Sequence, residues 1–502
     1  SCLCGVSVRQ VLASPEMERS EERDGGEGMV EQELGSGPRG LKLRREIDLW
    51  SAVSLIAGCM IGSGIFMSPQ GVLVYMGSPG ASLVVWAACG LMATLGALCY
   101  AELGALIPES GGDYAYILRT FGSLPGFLVI YAFVLVGRPA AVAAISLSFA
   151  EYAVAPFYPG CCSLPQVVVK GVAATGILLL MLVNCWSSRL ATTLTNMCTM
   201  AKVLSLLVIV VGGAVVLGQG RGRTEAFLHA FQNTTQQAGR IGIAFYQGLW
   251  SFDGWNSLNC VMEELRNPHQ NLVWALVIAM PLVTSLYIMV NISYLLVLSP
   301  SEILSSDAMA VSWGNQVLGA WAWLVPVAAV LSTFGSANVT YFSGSRLCYV
   351  AGREGHMPQL LSMVHVHHLT PVPALMFTAA VALVLIIPGN FRTIVNFLSL
   401  IAWLIYGTAI SCLLYLRMKE KNLPRPYKVP TFIPFIMLLV SVYLVLVPII
   451  DHPQMEFLYI FLFLLGGFPA YLLFVYFQCQ PKCLQMATLH LQLLLEVVPT
   501  TK

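Results

Sequence analysis

Two short glycine-rich stretches, set in otherwise apolar sequence, hold the groups best able to bind a ligand. The first reads Gly58-Cys59-Met60-Ile61-Gly62-Ser63-Gly64-Ile65-Phe66, with Pro69 following; the second reads Gly248-Leu249-Trp250-Ser251-Phe252-Asp253-Gly254-Trp255. Glycine costs a helix about 1 kcal/mol relative to alanine, so three glycines within seven residues favour an interruption. A half-helix that begins after a break offers free N–H groups and a positive dipole end to an anion, while carbonyls left at the other break accept a cation. A ligand with a carboxylate and an ammonium on adjacent atoms matches that layout, and an α-amino acid is such a ligand. Asp253 places an ionisable group in the second stretch, which glycines serving only close helix packing would not need. Lys202, in Met197-Cys198-Thr199-Met200-Ala201-Lys202, is an ammonium in an apolar run and demands a partner or a purpose.

The chain that positions these groups has 502 residues, 57% hydrophobic and 10% charged, with a mean hydropathy of +0.75. Soluble domains carry about a quarter charged residues, so this composition indicates a protein embedded in membrane lipid. A formal net charge of +1 gives no basic field for nucleic acid, and 14 Cys in this length do not make a disulfide framework. Residues 1–45 read as a disordered cytosolic tail, because Glu18 to Gly40 is rich in Glu, Arg, Gly and Ser with almost no large apolar side chain. Twelve apolar stretches follow, at roughly 47–72, 81–106, 125–152, 165–185, 193–217, 239–262, 272–298, 319–345, 371–388, 393–416, 430–449 and 456–477. They make one domain over 46–478, and 479–502 reads as a second cytosolic tail. With the N-terminal tail inside, sixteen Lys and Arg fall on the inner face and five on the outer, so both termini are expected in the cytosol.

The two glycine-rich breaks fall in the first and sixth of these spans. Equivalent helices five apart run in opposite directions through the bilayer, which is the pattern of a five-plus-five inverted repeat, here with two further helices appended. The expected fold is therefore an all-α integral membrane protein of twelve transmembrane helices, with helices 1 and 6 broken. No phosphate-binding Gly-x-x-x-x-Gly-Lys-Ser/Thr loop argues for an ATP-driven pump, and no paired carboxylates or His/Cys cluster at membrane depth argues for an enzyme. Neither a metal nor a cofactor is expected.

Several motifs carry a resemblance: IGSGIFMSP (61–69), LCYAELGALIPESGGDYAYI (98–117), GLWSFDGWNSLN (248–259), EELRNP (263–268), STFGSANVTYFSGSRL (332–347) and AGREGHMP (351–358). At these residues the chain resembles the light subunits of heteromeric amino-acid transporters, solute carrier family 7 of the amino acid–polyamine–organocation superfamily. The likeness runs from about Arg44 to Pro499 and leans toward the cystine and dibasic exchanger and the aromatic-preferring transporter, with LHLQLLLEVVP (489–499) part of it. It implies a LeuT-type inverted repeat and alternating access. It also implies that N–H groups of Ser63, Gly64 and Ile65 bind the substrate carboxylate, and that carbonyls of Met60, Trp250 and Asp253 receive its amino group. Trp250 would gate the substrate from outside, and Asp253, Asn256, Ser399 and Trp403 would line its side-chain pocket. Lys202 would stand where sodium-coupled relatives hold an ion, which implies sodium-independent exchange.

The same resemblance implies a single-span glycoprotein heavy chain, rBAT-like or CD98-like, joined by a disulfide from the outer loop Pro159-Gly160-Cys161-Cys162. Cys161 is the first choice, with Cys162 as the alternative. The implied location is the plasma membrane, with the apical epithelial membrane as one destination. In span three the dibasic exchanger has Thr two residues after its Pro-preceding cation, whereas this chain reads Arg138-Pro139-Ala140. Ala140 replaces a hydroxyl with a methyl, which favours large neutral and aromatic substrates; dibasic ones remain the alternative, since Asp253 is retained. An amino-acid sensor without net transport is a third reading.

Other signals are weaker. Glu102, Glu109 and Arg119, and Glu263, Glu264 and Arg266, read as inner-face polar networks, and Arg138 either lines the path or pairs with a carboxylate. The His365–His368 run matches no zinc framework and reads as a solvated cytosolic loop. Asn233-Thr234-Thr235 is a glycosylation sequon in an outer loop, while those at Asn291 and Asn338 fall inside spans and should be unreachable.

Overall fold

A chain this apolar can satisfy its backbone within lipid only by folding into helices or a closed barrel, and the computed structural model is almost wholly helical. It describes residues 48–499 apart from 110, 160–162, 452 and 479–481. The tail 1–45 and both cysteines expected in an outer loop, Cys161 and Cys162, lie outside the described residues.

In chain order the first helices are α1 (Leu49–Met60), α2 (Gly64–Met76), α3 (Pro79–Leu106), α4 (Asp113–Phe121), α5 (Ser123–Ala132), α6 (Arg138–Val154), α7 (Gln166–Trp186) and α8 (Ser188–Gly218). The short α9 (Glu225–Leu228) precedes α10 (Ala238–Trp250), α11 (Pro268–Val297), α12 (Pro300–Ser305), α13 (Met309–Val317) and α14 (Leu324–Arg353). Strand β1 (Met363–His365) leads to α15 (Val372–Ile386), α16 (Phe391–Lys419), α17 (Phe432–Asp451), α18 (Met455–Ala470) and α19 (Lys482–Leu494), and strand β2 (Val497–Pro499) closes the described chain. Among the described residues nine helical segments are long and apolar enough to cross a membrane, and α1 with α2 forms a tenth, bent by 48°. The remaining two expected spans are represented by α10, with 13 residues, and α15, with 15.

Local chemistry sets many of the boundaries. Pro79, Pro268 and Pro300 each stand at a helix start, where the missing N–H costs nothing. Ser299 and Glu302 close a reciprocal capping box on α12, and Asn390 Oδ1 accepts the Thr393 N–H at the start of α16. α5 and α6 are one continuous rod joined by a π-helical turn, Phe133–Gly137, directly before Arg138-Pro139. Pro139 has no N–H, and its ring crowds the carbonyl four residues back, which the wider turn accommodates.

The interior is built from large aromatics, Trp86, Trp313, Tyr100, Tyr246 and Tyr287 among the fully buried side chains. Several polar side chains inside are paired. Asn338 donates to the Ala191 carbonyl at 2.8 Å and to Thr195 Oγ1 at 2.9 Å, and Asn184 donates to Asn338 Oδ1 at 2.8 Å, tying α7, α8 and α14. Asn291 is buried as well and donates to the Tyr287 carbonyl. The sequons at Asn291 and Asn338 are thus enclosed.

The loop read as solvated and part of the stretch read as a second cytosolic tail take definite structure. β1 pairs antiparallel with β2, Val364 opposite Val498 and His365 opposite Val497, so the histidine run begins in a strand. Met363, Val372 and Val497 form a small apolar cluster under the pair. The polar networks expected at the inner face also partition differently. Glu109 pairs with Arg119 as expected, but buried Glu102 is held by Arg417, which donates from Nε at 3.0 Å, with Arg425 Nε 3.9 Å away. The Val429 N–H completes that carboxylate's shell at 2.9 Å, so the PRPYKVP turn folds onto the end of α3. Arg266 pairs with Asp48 at 2.7 Å.

Candidate functional site

The first break spans Ile61–Ser63, where α1 ends at Met60 and α2 starts at Gly64. Ser63, Gly64 and Ile65 are all buried. As the opening residues of α2, their N–H groups have no helical acceptor, and the positive end of the dipole lies there. The second break begins at Trp250, where α10 gives way to tight turns: the N–H groups of Ser251, Phe252 and Asp253 reach back only three residues, to Gly248, Leu249 and Trp250. Gly254 then takes a φ of +110°, open to glycine alone without strain, and a 3-10 helix runs over Ser257–Glu264.

The two breaks press against each other. A methyl group on Gly64 would lie 2.6 Å from Ser251 Cα, and one on Gly254 would lie 2.8 Å from Cys59 Cβ. Glycine at both positions is what lets the two backbones meet. The Tyr287 hydroxyl, on α11, stands 2.6 Å from the Met60 carbonyl oxygen and 2.8 Å from that of Ser251, and its single proton serves these two acceptors. Sequence reasoning did not single out Tyr287. Trp86 and Phe252 hold its ring edge-on, at 5.9 and 5.0 Å between centroids.

Asp253 is exposed, and Tyr406 donates to its Oδ1 at 3.1 Å. Tyr406 also packs edge-on against Trp403 and Trp255, at 5.5 and 5.0 Å. Ser399, Trp403 and Tyr406 lie on one face of α16 at helical spacing, so Tyr406 was legible from the first two. Asn256 Nδ2 donates to Asp113 Oδ2 at 3.3 Å, and Tyr100 donates to Asp113 Oδ1. Burial pushes the Asp113 carboxyl up to about 6, against the Tyr100 hydrogen bond and the Arg138 charge, which pull it down. Asp113 and Tyr100 lay within a motif of the resemblance without being assigned a role.

Trp250 stands at the end of α10, edge-on to Phe391 at 6.3 Å. Ala140 is fully buried, in the apolar cluster against which Trp250 packs. Lys202, 1% exposed, donates from Nζ to the Gly58 carbonyl at 2.9 Å. Gly335 of α14 lies beside its stem, a methyl there falling 3.5 Å from Lys202 Cε. The ammonium thus sits among α1, α8 and α14. Asn233, outside this assembly, is exposed at a φ of +61°. Among the described residues no three His, Cys, Asp or Glu side chains group as a metal site.

Comparison with known proteins gives this arrangement a context. The b(0,+)-type amino acid transporter 1 of Mus musculus is 48% identical over 462 residues, 92% of this chain and 94% of its own length. The Homo sapiens protein of the same name is 47% identical over 464 residues, covering 92% and 95%. The Homo sapiens large neutral amino acids transporter small subunit 2 is 41% identical over 460 residues, covering 91% of this chain and 86% of that one. These relatives are transporters rather than enzymes. The amino acid permease profile matches residues 47–468, and with a match of that extent this multi-pass membrane chain belongs to the amino acid permease family.

Proposed function

We propose that the chain is a sodium-independent L-amino-acid exchanger for large neutral amino acids, aromatic ones included. It acts as the light chain of a heterodimer, linked to a single-span glycoprotein through Cys161 or Cys162. In this reading twelve helices form a five-plus-five inverted repeat with two appended, both termini are cytosolic, and the complex works at the plasma membrane. The observation that carries it is the contact between the two breaks: unclaimed N–H groups of Ser63, Gly64 and Ile65 at the start of α2 face an anion, beside unwound carbonyls for an ammonium.

Each assigned residue has a physical task. The Met60 carbonyl keeps a second lone pair for the substrate amine while it accepts from Tyr287. Trp250 closes over the bound molecule from outside. Asn256, Ser399 and Trp403 shape the side-chain pocket, and Ala140 relieves its packing by one hydroxyl. Lys202 supplies a fixed positive charge at the carbonyl end of α1, the role an ion plays in coupled relatives of the fold, so no sodium gradient enters the cycle.

A second reading, exchange of cystine and dibasic amino acids for neutral ones, is favoured by Asp253. Its exposed carboxylate accepts one hydrogen bond, from Tyr406, and keeps lone pairs for a cationic side chain. The b(0,+)-type relatives also exceed the large-neutral relative in identity, 47–48% against 41%. The test is uptake of labelled tyrosine, leucine, arginine and cystine into liposomes holding the full chain, in sodium-free buffer, with and without internal amino acid. Entry of tyrosine or leucine only against internal substrate, with arginine excluded, supports the first reading. Entry of arginine and cystine as well supports the second, and uptake indifferent to internal substrate overturns exchange.

A further inference from the structure

α19 turns apolar side chains outward. Its least exposed residues are Thr488 and Gln492, one turn apart and both polar, whereas Leu489, Leu493 and Leu494 are 55%, 73% and 77% exposed. Leu484, Met486 and Leu491 are exposed too. A helix bathed in water does the reverse, hiding leucine and showing glutamine, and an apolar patch of this extent marks a contact surface. Lys482, at its first position, is the one charged residue among its 13. Its main contact among the described residues is with its own strand β2.

The course of the chain identifies what covers this surface. α18 ends in a π-helical turn, Tyr471–Tyr476, in which Leu472, Leu473, Phe474 and Tyr476 are exposed as lipid-facing residues are. Five residues separate Tyr476 from Lys482. A link of that length reaches at most about 20 Å, too little to recross a hydrocarbon core about 30 Å thick. A helix of 13 residues is also too short to span that core, at about 1.5 Å per residue. α19 therefore stays at the interface where α18 ends, and its outward leucines continue the lipid-facing surface of α18. Beyond its far end, Glu496, the residue before β2, is hydrogen-bonded to the loop after α14: Val366 N–H donates to the Glu496 carbonyl at 3.0 Å, next to the β1–β2 pair.

We infer that α19 is an interfacial helix lying on the membrane, with Met486, Leu489 and Leu493, which share the face opposite Thr488 and Gln492, among the acyl chains, and that this seating holds β2 in place against β1. The occupant is lipid, the apolar face of α19 entering the boundary between headgroups and acyl chains.

The test uses the full chain in phosphatidylcholine–phosphatidylserine vesicles doped with a phospholipid carrying a diazirine on its acyl chain. After irradiation, adducts are mapped by peptide mass spectrometry. The inference predicts adducts on Met486, Leu489 and Leu493 of α19 as well as on Phe461 and Leu462 of α18. Adducts on α18 with none on α19 overturn it, and so do crosslinks of α19 to a second copy in place of lipid. The double variant Leu489→Glu, Leu493→Glu should lose the α19 adducts and lose hydrogen-exchange protection at Val364 and Val498. Unchanged protection there, with the adducts gone, overturns the claim that seating holds the strand pair.

Discussion

Lys202 donates from Nζ to the carbonyl oxygen of Gly58, 2.9 Å away, and so joins α8 to the last turn of the first half-helix. Carbonyls in a helix's last turn lack helical partners, and the dipole is negative there, so an ammonium suits the position twice over. In the proposed function this tethered cation stands in for a bound ion. Uptake by the intact chain should be equal in sodium chloride and choline chloride. Lys202→Met removes a charge-assisted hydrogen bond of about 1.5–3 kcal/mol, and a loss of that size in the transport barrier slows exchange roughly tenfold or more. Sodium-stimulated uptake by the unmodified chain would contradict the assignment.

Gly64→Ala brings a methyl to 2.6 Å from Ser251 Cα, a backbone atom that no rotamer change can move. Overpacking of this kind costs about 1–3 kcal/mol, and here it pushes the two breaks apart. Labelled leucine binding should fall sharply. The control is Gly171→Ala in α7, where nothing lies within 4 Å of the added methyl; its binding should match the parent.

The carboxyl of Asp113 gives stability a pH dependence. Its titration point is raised from 3.8 to about 6, with burial as the first cause, so the folded protein holds this proton more tightly than the unfolded chain. The sign follows from linkage: between those two values the folded state binds more protons, and this group's contribution to stability falls as pH rises toward about 6 and then levels off. Thermal melts from pH 4 to pH 7 should show this decline, and Asp113→Asn should flatten it. An identical pH profile in the variant would contradict the account.

Two glutamates near the end of α3 should differ in worth. Glu102 is buried against Arg417, while the Glu109–Arg119 pair is about half exposed on both sides. Breaking a buried pair by removing one partner costs about 3–5 kcal/mol, whereas an exposed pair contributes about 0–1 kcal/mol. Glu102→Ala should therefore lower the melting temperature far more than Glu109→Ala, as read by melts of the purified protein.

What was legible in the sequence was local. Glycine spacing at Gly58, Gly62 and Gly64, and at Gly248 and Gly254, announced the breaks because backbone freedom is a property of the residues themselves. Lys202 was conspicuous because an ammonium in an apolar run needs a partner or a purpose unless it snorkels to an interface. The partners supplied by tertiary approach were hidden. Nothing around Tyr287 says that its hydroxyl spans Met60 and Ser251, and nothing in the sequence near Glu102 says that Arg417 reaches it rather than Arg119. The pairing of His365 with Val497 was hidden for the same reason, since a three-residue strand carries no periodicity and its partner lies at the other end of the domain.

The central claim is that the facing breaks bind the backbone of an amino acid, its carboxylate at Ser63, Gly64 and Ile65 and its ammonium at the unwound carbonyls. The most direct measurement is competition for labelled leucine binding to the full chain in liposomes by leucine, leucine methyl ester and N-acetyl-leucine. The ester lacks the anion and the amide lacks the cation, while the side chain is the same in all three. The account predicts that leucine displaces the label and both blocked forms fail. Displacement by either blocked form as effective as that by leucine would contradict it.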